Sequence, residues 1–150
     1  DYLVPTATEG NKALATLVDK NGNNVKTYSS DAKDITMPMA VLINSDTAGY
    51  GELFACDLKD FGKAFLIGEK TAGRADVQET FELSDGGAVV LTTSKMLPYI
   101  SESFDGKGLT PDTEIILADS LRENLSTLEK ERDTQLQAAI SMLAGNSSEG

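Results

Sequence analysis

Two short apolar runs on either side of an amphipathic segment constrain the fold of this chain most strongly. Met39–Ile43 and Ala64–Gly68 have the length of strands and carry no polar side chain, which is typical of strands buried on both faces. Between them, apolar side chains recur at helical spacing, which predicts a helix over 48–61 that stops near Gly62. Strand, helix and strand in this order form a βαβ unit, normally a right-handed parallel crossover. The predicted class is α/β, with Met39–Ile43 as a central strand.

Two further segments alternate apolar and polar side chains around turn-forming residues, a pattern typical of β-hairpins. The first hairpin is predicted to pair 13–18 with 25–29 around an Asn-Gly-Asn-Asn turn. The second is predicted to pair 77–83 with 88–93, and to pack beside the βαβ unit.

The rest of the chain is predicted to contain loops and two helices. Residues 31–36 are polar and are interpreted as a linker, and 106–112 contains two glycines and a proline, which indicates an ordered loop. From Asp119 a stripe of leucines and isoleucine, broken by charged residues, predicts two helices, the second capped by Asp133. Residues 146–150 are expected to fray, and no internal repeat is visible.

Charge and composition exclude several kinds of function. The 150 residues include 13 Lys and Arg against 24 Asp and Glu, a net charge of −11, which repels nucleic acids and anionic lipids. The apolar runs are far shorter than the ~20 residues of a membrane span. Because the chain has no His and only one Cys, His-based catalysis, most zinc sites and an internal disulfide are excluded. We expect no metal and no cofactor.

Seven short motifs follow one another along residues 39–143: Val41–Ala55, Asp60–Ala64, Ile67–Gln78, Leu83–Gly87, Leu91–Thr93, Gly106–Asp112 and Asp133–Ala139. In this order they resemble the C-terminal processing peptidases, also called tail-specific proteases. The resemblance implies a partial ClpP/crotonase-like core with a βαβ unit, β-hairpins and C-terminal helices. It also implies an extracytoplasmic or cell-envelope location. Because the chain begins without a methionine and is interpreted as a piece of a longer protein, a PDZ module and a glycine-rich oxyanion loop are expected upstream of Asp1.

The resemblance divides the chain into three parts. Residues 1–36 correspond to a variable hairpin segment of the core, 37–118 to the C-terminal half of the peptidase-like core, and 119–150 to the C-terminal helices and tail. No function is assigned to the first part.

The same resemblance implies a serine enzyme that needs no histidine, in which a Ser at the helix start is activated by a Lys that a Gln positions. In this chain the Ser position is Gly49, the Lys position is Arg74, and Gln78 is retained. The Tyr50 backbone N–H takes the place of the oxyanion donor. Gly49 has no side chain to attack with, and a guanidinium with a pKa above ~12 cannot serve as a base.

Both the Ser and the Lys of the dyad are replaced. This favours a naturally inactive relative over an engineered knockout, for which one replacement of the Ser would be enough. We therefore expect a peptide-binding or scaffolding domain whose partners are protein or peptide C-termini. Two alternatives stay open: an active serine endopeptidase with a variant dyad, and a purely structural assembly interface. The variant dyad would take its nucleophile from Ser45, Thr47 or Tyr50 and its base from Lys70.

Other residues near the helix start have simpler interpretations. Cys56 is expected to be a small packing residue, and Asp57 and Asp60, with Glu52, a solvated helix face rather than a metal site. The flanking glycines at 49 and 51 either leave helix N–H groups open to an anion or relieve crowding under the tyrosine between them. Uncovered strand edges and apolar faces, such as that of 39–43, predict self-association of the chain.

Overall fold

The computed structural model describes residues 13–30 and 37–146, in which two β-sheets pack against one helix. Besides two short 3-10 turns, its elements are β1 (Ala13–Val18), β2 (Asn24–Ser29), β3 (Met39–Ile43), α1 (Tyr50–Asp60), β4 (Ala64–Gly68), β5 (Asp76–Glu82), β6 (Ala88–Pro98), β7 (Thr113–Glu114), α2 (Asp119–Arg122) and α3 (Thr134–Asn146). The predicted α/β class is confirmed.

The first sheet is antiparallel, with strand order β2-β1-β6-β5. Its first hairpin is confirmed, because β1 pairs with β2. The turn is held by the Asp19 carboxylate, which accepts the N–H groups of Asn21 at 2.8 Å and Asn23 at 2.9 Å. Gly22 lies between them with a φ of 83°, a conformation that glycine adopts without steric cost.

The second hairpin is also confirmed, but β6 runs five residues beyond the predicted end. This extension pairs with β1 from Lys95 to Pro98 and joins the two hairpins in one sheet. Ser94, Met96 and Pro98 are buried at alternate positions, so the extension is half-buried like an ordinary strand. The sequence pattern there is weak because Ser and Pro occupy two of the three buried positions.

The second sheet is parallel and contains the predicted βαβ unit. β3 and β4 pair in register from Met39 opposite Ala64 to Ile43 opposite Gly68. The prediction that β3 is a central strand is wrong for the described part of the chain, where the order is β3-β4-β7 and β3 is an edge. Its Leu42 side chain is 40% exposed. An apolar run indicates burial but does not specify how many strands flank it.

Helix α1 occupies the space between the two sheets. Leu53 packs with buried residues of the antiparallel sheet, including Leu17 and Met96. Ala55 and Leu58 pack in clusters with residues of β3 and β4. Burial on two sides fixes the direction of α1, and with it the position of the turn at its N-terminus.

The C-terminal segment contains less helix than predicted. α2 ends at Arg122, and 3-10 turns follow at Leu125–Thr127 and Lys130–Arg132. α2 has no buried residue, so little packing supports a longer helix. The predicted cap of the second helix is confirmed, since the Asp133 carboxylate accepts the Leu136 N–H at 2.9 Å.

Some sequence predictions fall outside the described residues. These are the linker over 31–36 and residues 147–150 of the predicted frayed tail. The first residue of that tail, Asn146, is the last residue of α3. The three-part division of the chain stays a prediction. Over residues 13–30 and 37–146 no helix has the length and apolarity to cross a bilayer.

Candidate active site

Gly49 lies in the turn that joins β3 to α1 and caps the helix N-terminus. Its φ is 61° and its ψ is −124°, a backbone conformation that L-residues rarely adopt. Apart from its chain neighbours, no heavy atom lies within 4 Å of where a Cβ would stand. The turn therefore has room for a side chain and has the strained strand–turn–helix geometry that presents a serine nucleophile in some hydrolases.

The positive φ gives Gly49 a backbone reason to be glycine. At the second glycine of this turn, Gly51, an added Cβ would stand 3.6 Å from Thr47 Cγ2, an ordinary contact. As the first residue of α1, Tyr50 has a backbone N–H with no partner inside the helix. An acceptor can therefore approach the helix start at Tyr50.

The preceding turn is closed by Asn44 and Thr47. The Asn44 side-chain oxygen accepts the Thr47 N–H at 3.0 Å and the Thr47 hydroxyl at 3.1 Å. The same hydroxyl accepts the Asn44 N–H at 3.1 Å. Because both its proton and its oxygen serve the turn, the Thr47 hydroxyl is poorly placed to act as a nucleophile.

Glu52 connects the helix start to the loop that follows β4. Its side chain is fully buried. Oε2 accepts the N–H groups of Gly49 at 3.1 Å and Arg74 at 2.8 Å. Oε1 accepts the Gly73 N–H at 2.7 Å and the Thr71 hydroxyl. Gly49 and Arg74, the predicted dyad positions, thus donate to the same carboxylate oxygen, and their nitrogens lie no farther apart than the sum of those two distances.

The prediction that Glu52 and Asp57 form a solvated face is wrong. Glu52 is 0% exposed and Asp57 is 8% exposed. Helical spacing shows which side chains share a face, but only packing decides whether that face meets solvent. The part of the chain that the structure describes contains no group of three or more acidic, Cys or His residues arranged to hold a metal.

The predicted ordered loop over 106–112 packs directly against the loop that carries Arg74. The Gly106 N–H donates to the Gly73 carbonyl at 2.8 Å. A Cβ on Gly73 would stand 2.7 Å from the Gly108 nitrogen, and a Cβ on Gly108 would stand 2.3 Å from the Thr71 carbonyl oxygen. Only glycine permits this close backbone approach, and the loop over 106–108 thereby supports 71–74 in addition to Glu52.

The structure brings Gly49 and Arg74 together through their backbones and leaves the Arg74 side chain exposed. No ion pair of Arg74 occurs between described residues. Gln78 lies on β5 opposite Thr92, next to a register shift, and is also exposed. No hydrogen bond between Gln78 and Arg74 occurs within residues 13–30 and 37–146. Gln78 is therefore close in sequence to the loop that carries Arg74, but the two residues are not joined by a described hydrogen bond.

Among the described residues, no activating base is bonded to the substitute nucleophiles. Ser45 is exposed, and its hydroxyl lies 3.5 Å from Arg122. The Tyr50 hydroxyl lies 3.5 Å from that of Tyr28, and this hydrogen bond, together with burial, raises the pKa of Tyr50 to about 12. Lys70 is exposed and donates to none of these hydroxyls.

Cys56 is buried, as predicted for a packing residue. Burial raises the pKa of its thiol to about 12, with the negative charges of Asp60 and Asp57 adding to the effect. A thiol that stays protonated at neutral pH is a poor nucleophile.

Comparison with known proteins identifies the family. Residues 4–115 match the model of peptidase family S41. The chain belongs to this family. It is 34% identical over 119 residues to the carboxyl-terminal-processing protease of Picosynechococcus sp. (strain ATCC 27264 / PCC 7002 / PR-6), covering 79% of the chain but 28% of that S41 relative. The chain thus spans less than a third of the length of this curated relative.

Two solved structures extend the comparison. The photosystem II D1 C-terminal processing protease superposes with a TM-score of 0.65 at 29% identity, over 77% of this chain and 29% of that one. A lipoprotein from Streptococcus agalactiae superposes with a TM-score of 0.58 at 27% identity, over 82% of this chain and 46% of that one. The predicted resemblance to C-terminal processing peptidases is confirmed. Glu52 is the residue whose importance sequence reasoning missed, although it lies within the Val41–Ala55 motif.

Proposed function

We propose that this chain belongs to a non-catalytic S41 protein that binds peptide C-termini where α1 begins, as a binding or scaffolding domain. The observation that carries the proposal is a contrast within one site. The nucleophile and base positions hold Gly49 and Arg74, whereas the Glu52 hydrogen bonds that join these positions are complete.

The chemistry of the site suits a carboxylate. An exposed guanidinium stays charged at all working pH values and can bind a carboxylate through two N–H groups. The Tyr50 N–H at the positive end of α1 supplies a further donor beside it. Arg74 cannot deprotonate a nucleophile, but it can hold the terminal carboxylate of a peptide.

The location and upstream architecture of the parent protein belong to the same proposal. We expect an extracytoplasmic or cell-envelope protein with a PDZ module before this chain. The similarity to the Streptococcus agalactiae lipoprotein supports a cell-envelope location. The support for the PDZ module is the resemblance of the motifs.

The first test asks whether the full-length protein is a peptidase. We expect no cleavage of an unstructured protein substrate and no labelling by a fluorophosphonate probe. Measurable turnover would contradict the proposal. If turnover persisted in the Ser45→Ala, Thr47→Ala double variant, the nucleophile would lie elsewhere and the assignment of Gly49 would also be wrong.

The second test asks whether the scaffold still supports the chemistry. Gly49→Ser with Arg74→Lys restores a hydroxyl and a base that can lose its proton, and Tyr50→Ala removes a bulky ring beside the oxyanion donor. Because the turn already has the conformation of a presented nucleophile, we expect fluorophosphonate labelling to return in the triple variant. A folded triple variant that stays unlabelled would contradict a preserved peptidase cleft.

The third test measures peptide binding by the full-length protein. A peptide with a free C-terminal carboxylate is compared with its C-terminal amide by calorimetry. We expect the acid to bind at least ten-fold more tightly, and Arg74→Gln to abolish the difference. Lys70→Gln is the matched control, because it removes an exposed positive charge four residues away and should leave the preference intact. Equal affinity for acid and amide would overturn carboxylate recognition.

A further inference from the structure

A pocket of about 240 Å³ lies beside the start of α1. Neither Gly49 nor Arg74 lines it. It is formed by the first hairpin and one side of the helix. Leu14 and Tyr28 contribute from β1 and β2, and Leu53 and Phe54 from α1. Tyr50, which directly follows Gly49, is also part of the wall. Its volume suits one side chain of a bound molecule rather than several.

The only carboxyl group among the described lining residues belongs to Asp57. Asp57 is 92% buried (8% exposed), and its Oδ1 has no hydrogen-bond partner. Leaving a buried acceptor unsatisfied costs about 1–3 kcal/mol. Glu52, five residues earlier on the same helix, is also buried but bonds to four donors. Unlike Glu52, Asp57 therefore has a buried carboxyl oxygen to which no described residue donates a hydrogen bond.

Burial, followed by the negative charge of Asp60, raises the pKa of Asp57 to about 7. A cation brought next to this carboxyl would relieve both effects, because it neutralises the buried charge and offsets the repulsion from Asp60. The net charge of −11 further attracts cationic ligands.

We propose that this pocket receives a lysine side chain of the bound peptide, with the alkyl stem among Leu53, Phe54 and the tyrosine rings and the ammonium at Asp57. The inference rests on the proposed function for the identity of the bound molecule, since Tyr50 is shared by the pocket and the carboxylate-binding site. An ammonium fits better than a guanidinium, because Oδ1 alone is both buried and unpartnered and offers one acceptor rather than a two-oxygen fork.

The pocket is tested first with a probe that carries no carboxylate. Calorimetry on the full-length protein compares n-butylammonium with n-butanol, which has the same alkyl stem and no charge. We expect n-butylammonium to bind at least ten-fold more tightly, and Asp57→Asn to remove the difference. Asp46→Asn is the matched control, because it makes the same change at an exposed position and should preserve the difference.

Equal affinity for the two probes on the unmodified protein would overturn the inference without needing any variant to fold. A preference that survives in Asp57→Asn would overturn it as well, since the cation would then bind elsewhere. A final comparison replaces the lysine of a bound peptide with norleucine, and an unchanged affinity would show that the peptide does not use the pocket. The proposed function is tested separately, by comparing the peptide acid with its C-terminal amide and by the Arg74→Gln variant. Its failure therefore does not depend on the result at the pocket.

Discussion

At the scale of single residues, the site depends on one carboxylate. Glu52 accepts four hydrogen bonds in a fully buried position, and none of these donors is a positively charged side chain. Two of the donors are the backbone N–H groups of Gly49 and Arg74, the predicted dyad positions. Glu52 therefore sets the backbone geometry at both positions.

Replacing Glu52 with Gln is expected to destabilise the protein by about 2–4 kcal/mol, because the amide NH₂ would face backbone donors and leave them unsatisfied. Urea unfolding measures the change in free energy. The exposed Glu79→Gln variant is the matched control and should change stability by less than about 0.5 kcal/mol. A Glu52→Gln protein as stable as its parent would show that these bonds contribute little.

Asp57 predicts a pH dependence of stability. Its pKa in the folded protein is about 7, against 3.8 for an ordinary Asp. Between these values the folded state keeps a proton that the unfolded state has lost, so this group lowers the free energy of unfolding as the pH rises from about 4 to about 7.

Asp57→Asn removes that loss of stability. We subtract the free energy of unfolding of the parent from that of the variant. This difference should increase by roughly 2–4 kcal/mol from pH 4 to pH 8. Urea unfolding at both pH values measures the difference, and Asp46→Asn provides an exposed control that should show none. A constant difference between the Asp57→Asn variant and its parent would contradict a raised pKa.

At the scale of elements, the two longer helices, α1 and α3, are anchored at their N-termini in different ways. α1 begins at a glycine with positive φ and is held by the Glu52 side chain of its own first turn. α3 begins after Asp133, whose carboxylate caps it, and Gln135 in its first turn donates to the Ile115 carbonyl at 2.8 Å. Both helix starts are therefore specified by side-chain bonds as well as by packing.

Removing the cap of α3 tests this anchoring. Asp133→Ala should lower the free energy of unfolding by about 1 kcal/mol, because the Leu136 N–H loses its acceptor. Asp133→Asn retains a capping oxygen and should lose much less. Thermal unfolding of both variants measures the effect, and equal losses would indicate that charge rather than capping matters at this position.

At the scale of the whole molecule, two surfaces lack neighbours within the described residues. β3 is an edge of the parallel sheet. The end of the β5–β6 hairpin exposes several apolar side chains, with Val90 58% exposed. Open strand edges and apolar patches of this kind favour pairing with another chain, which supports the prediction of self-association and keeps the assembly-interface alternative under test.

The 150-residue chain is expected to self-associate at high concentration in physiological salt, where screening weakens the repulsion between its negative charges. Light scattering should give a mass above 16.0 kDa. Leu42→Lys and Val90→Lys should each reduce association, whereas Thr80→Lys adds the same charge at a polar position and should not. A monomer at every concentration, with no binding of an apolar dye, would contradict the prediction.

Much of the fold could be predicted from local patterns. The hairpins, the βαβ unit and the Asp133 cap depend on residues close together in the chain, and turn chemistry, apolar periodicity and capping act over such distances. The positions of Gly49, Arg74 and Gln78 followed from motif resemblance, and the structure brings the first two together. Their roles in binding stay a proposal.

Sequence by itself determined most of the strands, the α1 segment and the cap of α3, and it led to the prediction that Gly49 and Arg74 occupy the positions of a nucleophile and a base. Only the tertiary structure decided that β3 is an edge strand among residues 13–30 and 37–146, that β6 continues to join the two hairpins, and that Glu52 and Asp57 are buried. The physical reason is that strand neighbours and burial depend on which distant segments pack together. A carboxylate on α1 has the same helical spacing whether water or a loop from residue 71 onward covers it, and only the packed molecule distinguishes the two.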